Sequence, residues 1–185
     1  NRQIELVSSQ AEGRKVLDWY HAAASTLQEA LLRYPQSLNA EGWRWQLARF
    51  QILAQDARAL DTYAGLIQSV LQTGQARINN LPAWFHSNEP DLNLTTIPLT
   101  AEPGELNRLL IQISGIGNGF LWMVSTPGNV QVTPLLSNFN PDDNPQAEML
   151  TADLTGDGKV ELIVYESSHP NQTIFPNPWI FDLSQ

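Results

Sequence analysis

The hydrophobic positions of residues 11–72 repeat with alternating spacings of three and four. Apolar residues at this spacing lie on one face of an α-helix. Residues 1–10 show no clear period, and Pro35 interrupts the pattern. The sequence therefore predicts an unstructured lead-in followed by three amphipathic helices. Their apolar stripes are Leu17, Tyr20, Ala24, Leu27 and Leu31; Trp43, Leu47, Phe50 and Ala54; and Leu60, Ala64, Ile67 and Leu71.

The segment Gln55-Asp56 decides whether the second and third helices are separate. We predict a turn here, because Asp56 can cap the next helix and Gly74 can end it. The alternative is one uninterrupted helix over residues 40–72, since the apolar stripe passes through Asp56 almost in phase.

From residue 106 onward the pattern changes to short runs of strand-forming residues separated by turn residues. Gly117-Asn118-Gly119 and Pro127-Gly128-Asn129 are typical of tight turns between paired strands. The sequence predicts an antiparallel meander of about six strands. Their ranges are 109–114, 120–125, 130–133, 148–153, 160–166 and 179–183.

Together these patterns predict an α+β fold with three regions. Residues 1–80 form a helical region, residues 81–105 a proline-rich connector, and residues 106–185 a β region; the alternative is one compact domain. A connector of this length without structure is unusual. We therefore expect either an edge strand at 92–98 or a segment that wraps across the helices.

The composition excludes several kinds of site and segment. The chain has 185 residues, of which 42% are hydrophobic, and no cysteine, so disulfides and thiolate metal sites are excluded. It contains no apolar run of eighteen residues, so no membrane-spanning segment is predicted. It begins at Asn1, which suggests a piece of a longer chain.

Charge is unevenly distributed along the chain. Residues 1–87 carry a net charge of +1 and residues 88–185 a net charge of −10, which gives −9 overall. An acidic second half repels the phosphates of nucleic acids, so no nucleic-acid partner is expected. The acidic second half also favours the binding of a cation.

The residues that commonly carry catalysis do not form recognisable motifs. His21, His86 and His169 lack the spacing of a metal site, and Ser114 lacks the flanking glycines of a nucleophile elbow. No phosphate-binding loop of the Walker type occurs. We therefore predict a protein that is not an enzyme.

One segment carries specific chemistry. Oxygen-bearing side chains occur at alternate positions, Asp153, Thr155 and Asp157, and Glu161 follows at the start of a predicted strand. Ca²⁺ binds six to eight oxygens, and a short loop of this kind supplies several of them. We predict that these four side chains and the backbone carbonyl of Lys159 are calcium ligands. The competing interpretation is a metal-free turn, since Asp, Gly and Thr are also ordinary turn residues.

The loop begins like an EF-hand, but strand formers rather than a helix follow it. Residues 152–164 instead resemble the calcium loop of the FG-GAP/VCBS repeat family, the blade unit of integrin-type β-propellers. The resemblance implies a structural Ca²⁺ ion and an extracellular or cell-envelope location. The predicted meander corresponds to a single blade, whereas a closed propeller needs about four to eight.

Residues 15–74 show a weaker resemblance to tetratricopeptide-type helical hairpins. The segment from Ala30 to Pro35 resembles the end of one repeat, and the segment from Trp43 to Leu71 resembles a helix pair. Such repeats pack on their neighbours, so this resemblance implies that the helices pack against the β region.

Three functional hypotheses follow. The first is a non-enzymatic extracellular or cell-envelope binding or scaffold module with a structural Ca²⁺ loop and an unidentified protein or glycan partner. The second is an accessory carbohydrate- or peptide-binding domain of a larger secreted enzyme, with Trp84, Trp122 or Trp179 exposed to stack on sugars. The third is a metal-free packing domain. In the first and third, these tryptophans fill the core.

Overall fold

The computed structural model contains two compact units, Asn1–Pro141 and Asp142–Gln185. Its backbone is described at residues 2–99, 107–115, 118–138, 146–158, 161–167 and 179–182. Its side chains are described at residues 12–98, 108–115, 119–135, 150–158, 161–163 and 180–182.

Unit 1 starts with helices and continues as an antiparallel sheet. The helices are α1 (Arg2–Arg33), α2 (Ala40–Leu53), α3 (Arg58–Gln72) and, after a 3₁₀ turn at Ile78–Asn80, α4 (Leu81–Asn88). The strands β1 (Asn93–Leu99), β2 (Asn107–Ser114), β3 (Asn118–Thr126) and β4 (Asn129–Asn138) pair in the order of the chain.

Unit 2 contains a second antiparallel sheet. It is made of β5 (Gln146–Ala152), β6 (Glu161–Ser167) and β7 (Trp179–Asp182), again in chain order. The α+β fold class is confirmed. The strands predicted as one meander belong to two sheets, because residue patterns define strands but not which strands pair.

The predicted separation of the second and third helices is confirmed. Gln55 adopts a left-handed backbone with φ of 57°, which ends the helical path after α2. The Asp56 carboxylate accepts a hydrogen bond from the backbone N–H of Arg58 at 3.0 Å and pairs with its guanidinium at 2.6 Å. This pairing lowers the pKa of Asp56. Asp56 therefore lies two residues before the start of α3, one position earlier than an N-cap residue.

Two expectations require correction. The unstructured lead-in over residues 1–10 is wrong, since α1 already begins at Arg2. No proline precedes Pro35, so the helix formed by the amphipathic stripe can extend toward the N-terminus. The first part of the 81–105 connector forms a helix, α4, which was not expected.

Both elements of the connector accommodate proline. Pro82 lies in the first turn of α4, where a missing N–H costs nothing because that turn has no helical acceptor for it. Pro98 lies in β1, an edge strand of the sheet, where proline is tolerated. The edge strand predicted at 92–98 is therefore confirmed as β1.

The core of unit 1 lies between the helices and one face of the sheet. Helix α3 contributes seven buried residues to this core, all on one face of the helix. The largest fully buried side chains in the cluster are Ile52, Tyr63, Ile67, Leu81, Phe85, Ile111, Ile113, Leu121 and Met123. The predicted stripe residues Leu47, Leu60, Ala64 and Ile67 are buried as expected.

Helix α3 also contacts the edge of the sheet formed by β4. The Gln72 side-chain amide donates to the carbonyl of Val130 at 3.2 Å. One turn earlier, the Gln68 side-chain oxygen accepts from the N–H of Val132 at 3.2 Å. Two backbone groups of the edge strand are thereby satisfied by side chains of a helix.

The β2–β3 turn differs from the prediction. Asn118 and Gly119 belong to β3, where they pair with Ser114 and Ile113, so they are not the turn residues. Gly115 instead follows β2 with φ of 149°, and a Cβ at this position would lie 2.7 Å from the carbonyl oxygen of Asp91. The backbone of this turn therefore packs directly against the turn between α4 and β1.

Candidate metal centre

The candidate calcium loop connects β5 and β6. Ala152 and Glu161 are the cross-strand pair that closes it, so the loop comprises residues 153–160. The strand formers that follow it place Glu161 on the first position of β6. The loop ends are therefore held at the spacing of paired strands.

Asp153 organises the first part of the loop. Its two carboxylate oxygens accept hydrogen bonds from the N–H groups of Gly156 at 2.6 Å and Gly158 at 2.9 Å. These two glycines have φ of 75° and 81°, a region that residues with a Cβ seldom adopt. The alternating glycines of the motif thus let the backbone curl around one carboxylate.

Glu161 ties the end of the loop back to its beginning. Its side chain is only 6% exposed. One carboxylate oxygen accepts from the N–H of Leu154 at 2.7 Å, and the other accepts from the Thr155 hydroxyl at 3.4 Å. A buried carboxylate needs such partners, since burial of an unpaired charge is costly.

The predicted ligands are only partly brought together. Asp153 and Thr155 lie in the loop, and Glu161 on β6 adjoins it. The carboxylates of Asp153 and Glu161 accept hydrogen bonds from loop N–H groups, and Asp157 is exposed. Lys159 lies outside the described residues. Within the described part of the chain, no group of three or more His, Cys, Asp or Glu side chains is arranged to hold a metal ion.

Asp182 is a neighbour of the loop that the sequence did not indicate. Asp182 on β7 is the direct cross-strand partner of Glu161 on β6. Two carboxylates opposite each other on paired strands repel. The sequence contained no signal for this, because the pairing of β6 with β7 becomes visible only in the sheet.

The arrangement retains acceptor capacity for a hard cation. An ionised carboxylate offers about four lone-pair sites, and each of Asp153 and Glu161 uses two on loop donors. Oxygen is the atom that Ca²⁺ prefers. The donor atoms are thus of the type that calcium binds, and loop N–H groups donate to two of the carboxylates.

A second polar cluster lies in the core of unit 1. Glu89, only 5% exposed, follows α4, and burial raises its pKa to about 7, opposed by Arg49 and assisted by Asp91. Burial likewise raises the pKa of the Tyr63 phenol, whose hydroxyl has no hydrogen-bond partner among the described residues. Arg49 pairs with Asp91 near the surface.

The tryptophans named as sugar-stacking candidates differ in exposure. Trp122 is only 8% exposed, so it packs in the protein. Trp84 is half-buried, with its ring centroid 5.6 Å from that of Trp45 in an aromatic cluster. The Trp179 side chain lies outside the described residues.

Comparison of the chain with protein-family models, with curated proteins and with solved structures finds no match. Among the helices that the structure describes, none combines the length and the apolar character needed to cross a membrane.

Proposed function

We propose that this chain is a non-enzymatic binding or scaffold module in which the β5–β6 loop binds a structural Ca²⁺ ion. The observation that carries the proposal is the Glu161 carboxylate, which is buried and accepts hydrogen bonds from the Leu154 N–H and the Thr155 hydroxyl of the loop. A cation bound beside this carboxylate would be attracted by its negative charge. It would also reduce the conformational freedom of the loop.

We propose an extracellular or cell-envelope location for this module. Calcium sites of extracellular modules bind with dissociation constants of about 10⁻⁴–10⁻³ M. A loop with few charged ligands belongs in this weak class, which needs a compartment rich in calcium. The resemblance of residues 152–164 to the FG-GAP/VCBS loop supports the same setting. The partner of the module would be a protein or a glycan.

Calcium titration of the full chain tests this function. We expect millimolar affinity or better by calorimetry. With 5 mM Ca²⁺ we expect a stabilisation of about 1–2 kcal/mol, seen as slower amide exchange in residues 146–167. The Asp153→Asn variant should bind calcium at least about ten-fold more weakly, since it removes a charged oxygen ligand.

The matched control is Asp18→Asn, which makes the same charge change on the exposed surface of α1. It should leave the calcium affinity unchanged. Equal affinities of wild type and Asp153→Asn would exclude the assigned ligand, and the absence of any calcium heat or exchange effect would leave the loop a metal-free turn.

A further inference from the structure

Unit 1 contains a groove of about 780 Å³ at one end of its four-stranded sheet. One wall is the C-terminal end of α3 together with the following 3₁₀ turn, and the other includes the start of β2 and the β3–β4 turn. Sites for small molecules commonly measure about 300–1,000 Å³. The groove therefore has the size of a ligand site, and it is separate in sequence from the calcium loop.

The groove combines an apolar interior with positive charge. Leu71, Ile78, Leu109 and Val130 contribute apolar surface. The charged residues among the described lining are both arginines, Arg77 and Arg108. This is notable in a chain with a net charge of −9, in which Arg108 is one of two basic residues after residue 87.

The walls of the groove are fixed in place before any ligand arrives. The Gln72 side chain donates to the Val130 carbonyl at 3.2 Å and so joins the two walls. The Arg77 backbone N–H donates to the Asn80 side chain at 2.7 Å, which fixes the turn that carries Arg77. A preformed site loses less conformational entropy on binding than one that must order itself.

The end of α3 does not repel an anion as strongly as a bare helix C-terminus would. The Ser69 carbonyl accepts from the N–H of Thr73 at 2.9 Å, and the Val70 carbonyl accepts from the N–H of Ala76 at 3.2 Å. The Leu71 carbonyl accepts from Gly74 at 3.4 Å. These bonds satisfy carbonyls that would otherwise carry the negative end of the helix dipole.

We propose that this groove binds an organic carboxylate with an apolar body, its carboxylate beside Arg77 and its body against the aliphatic side chains. The guanidinium group matches a carboxylate because it presents parallel N–H donors. The apolar surface selects an amphiphile over a small inorganic anion.

Binding of decanoate to the full chain, followed by calorimetry, tests the proposal. We expect octanoate to bind roughly ten-fold more weakly, because each methylene removed from water contributes about 0.8 kcal/mol. Decyltrimethylammonium, with the same chain and the opposite charge, should bind much more weakly than decanoate. Protection from amide exchange should appear at residues 71–79 and 125–130.

Two arginine variants locate the anion. Arg77→Gln should weaken decanoate binding about five-fold, the size expected for one partly exposed ion pair. Arg14→Gln, an exposed position on α1 with the same charge change, is the matched control and should bind as wild type does. Equal affinity of Arg77→Gln and wild type, or equally tight binding of the cationic amphiphile, would overturn the proposal. Loss of calcium binding in the Asp153→Asn variant would not change the interpretation of the decanoate measurements.

Discussion

Replacing Gly115 with alanine is expected to destabilise unit 1 by about 3 kcal/mol. The added Cβ would lie 2.7 Å from the carbonyl oxygen of Asp91 and 3.0 Å from a methyl carbon of Leu92. The backbone φ of 149° is itself unfavourable for a residue with a side chain, at a cost of about 1–3 kcal/mol. Urea denaturation of the full chain, with fluorescence detection, measures the change.

The contact cannot be relieved cheaply, because the group it meets is backbone. Asp91 is tied through its carboxylate to Arg49 on α2, and Leu92 is buried with its N–H bonded to the Glu89 carbonyl at 3.1 Å. Movement of this turn would therefore disturb the junction of α4 with β1.

Gly65→Ala is the matched control for the Gly115 substitution. Gly65 lies on the exposed side of α3, and a Cβ added there would meet nothing within 4 Å, so alanine should stabilise the helix by about 0.5–1 kcal/mol. If Gly115→Ala were as stable as wild type while Gly65→Ala behaved as expected, the close approach of the two turns would be disproved.

Glu89→Gln is expected to make the protein more stable at pH 8 by about 2–3 kcal/mol and to have little effect at pH 4.5. Burial raises the pKa of Glu89 from 4.5 to about 7 in the folded state. Between these values the folded protein holds a proton that the unfolded chain has lost. Stability therefore falls as pH rises from 4.5 to about 7.

Glutamine removes this dependence because it stays neutral at every pH. The difference in unfolding free energy between variant and wild type, measured at half-unit steps from pH 4.5 to 8, should grow with pH and then level off above 7. Glu12→Gln makes the same change at an exposed position on α1 and is the matched control. A difference for Glu89→Gln that does not change with pH would show that Glu89 ionises in the folded state as it does in water. Asp56, whose pKa is lowered, loses its contribution only at pH values below this window.

Local signals in the sequence predicted much of the fold. The turn at Gln55-Asp56, the helix end before Pro35 and the strand at 92–98 follow from periodicity and from residues with restricted backbones. The length of α1 and the helix α4 were missed. The prolines of residues 81–105 indicated a connector, although Pro82 occupies the first turn of α4, where proline is favourable.

The candidate site was predictable in its residue types but not in its contacts. The spacing of Asp153, Thr155, Asp157 and Glu161 indicated a loop rich in oxygen ligands. The hydrogen bonds that Asp153 accepts from loop N–H groups and the pairing of Glu161 with Asp182 depend on backbone path and strand order, which a residue pattern leaves open. The groove beside Arg77 depends in the same way on segments far apart in sequence.

Gln68 and Gln72 of α3 affect how readily another molecule can pair with the edge strand β4. An uncovered edge strand is a template onto which a strand from another molecule can hydrogen-bond, the first step of polymer growth. Gln68 and Gln72 already occupy the Val132 N–H and the Val130 carbonyl on the β4 side. Addition of a further strand beside these two residues of β4 is thus disfavoured.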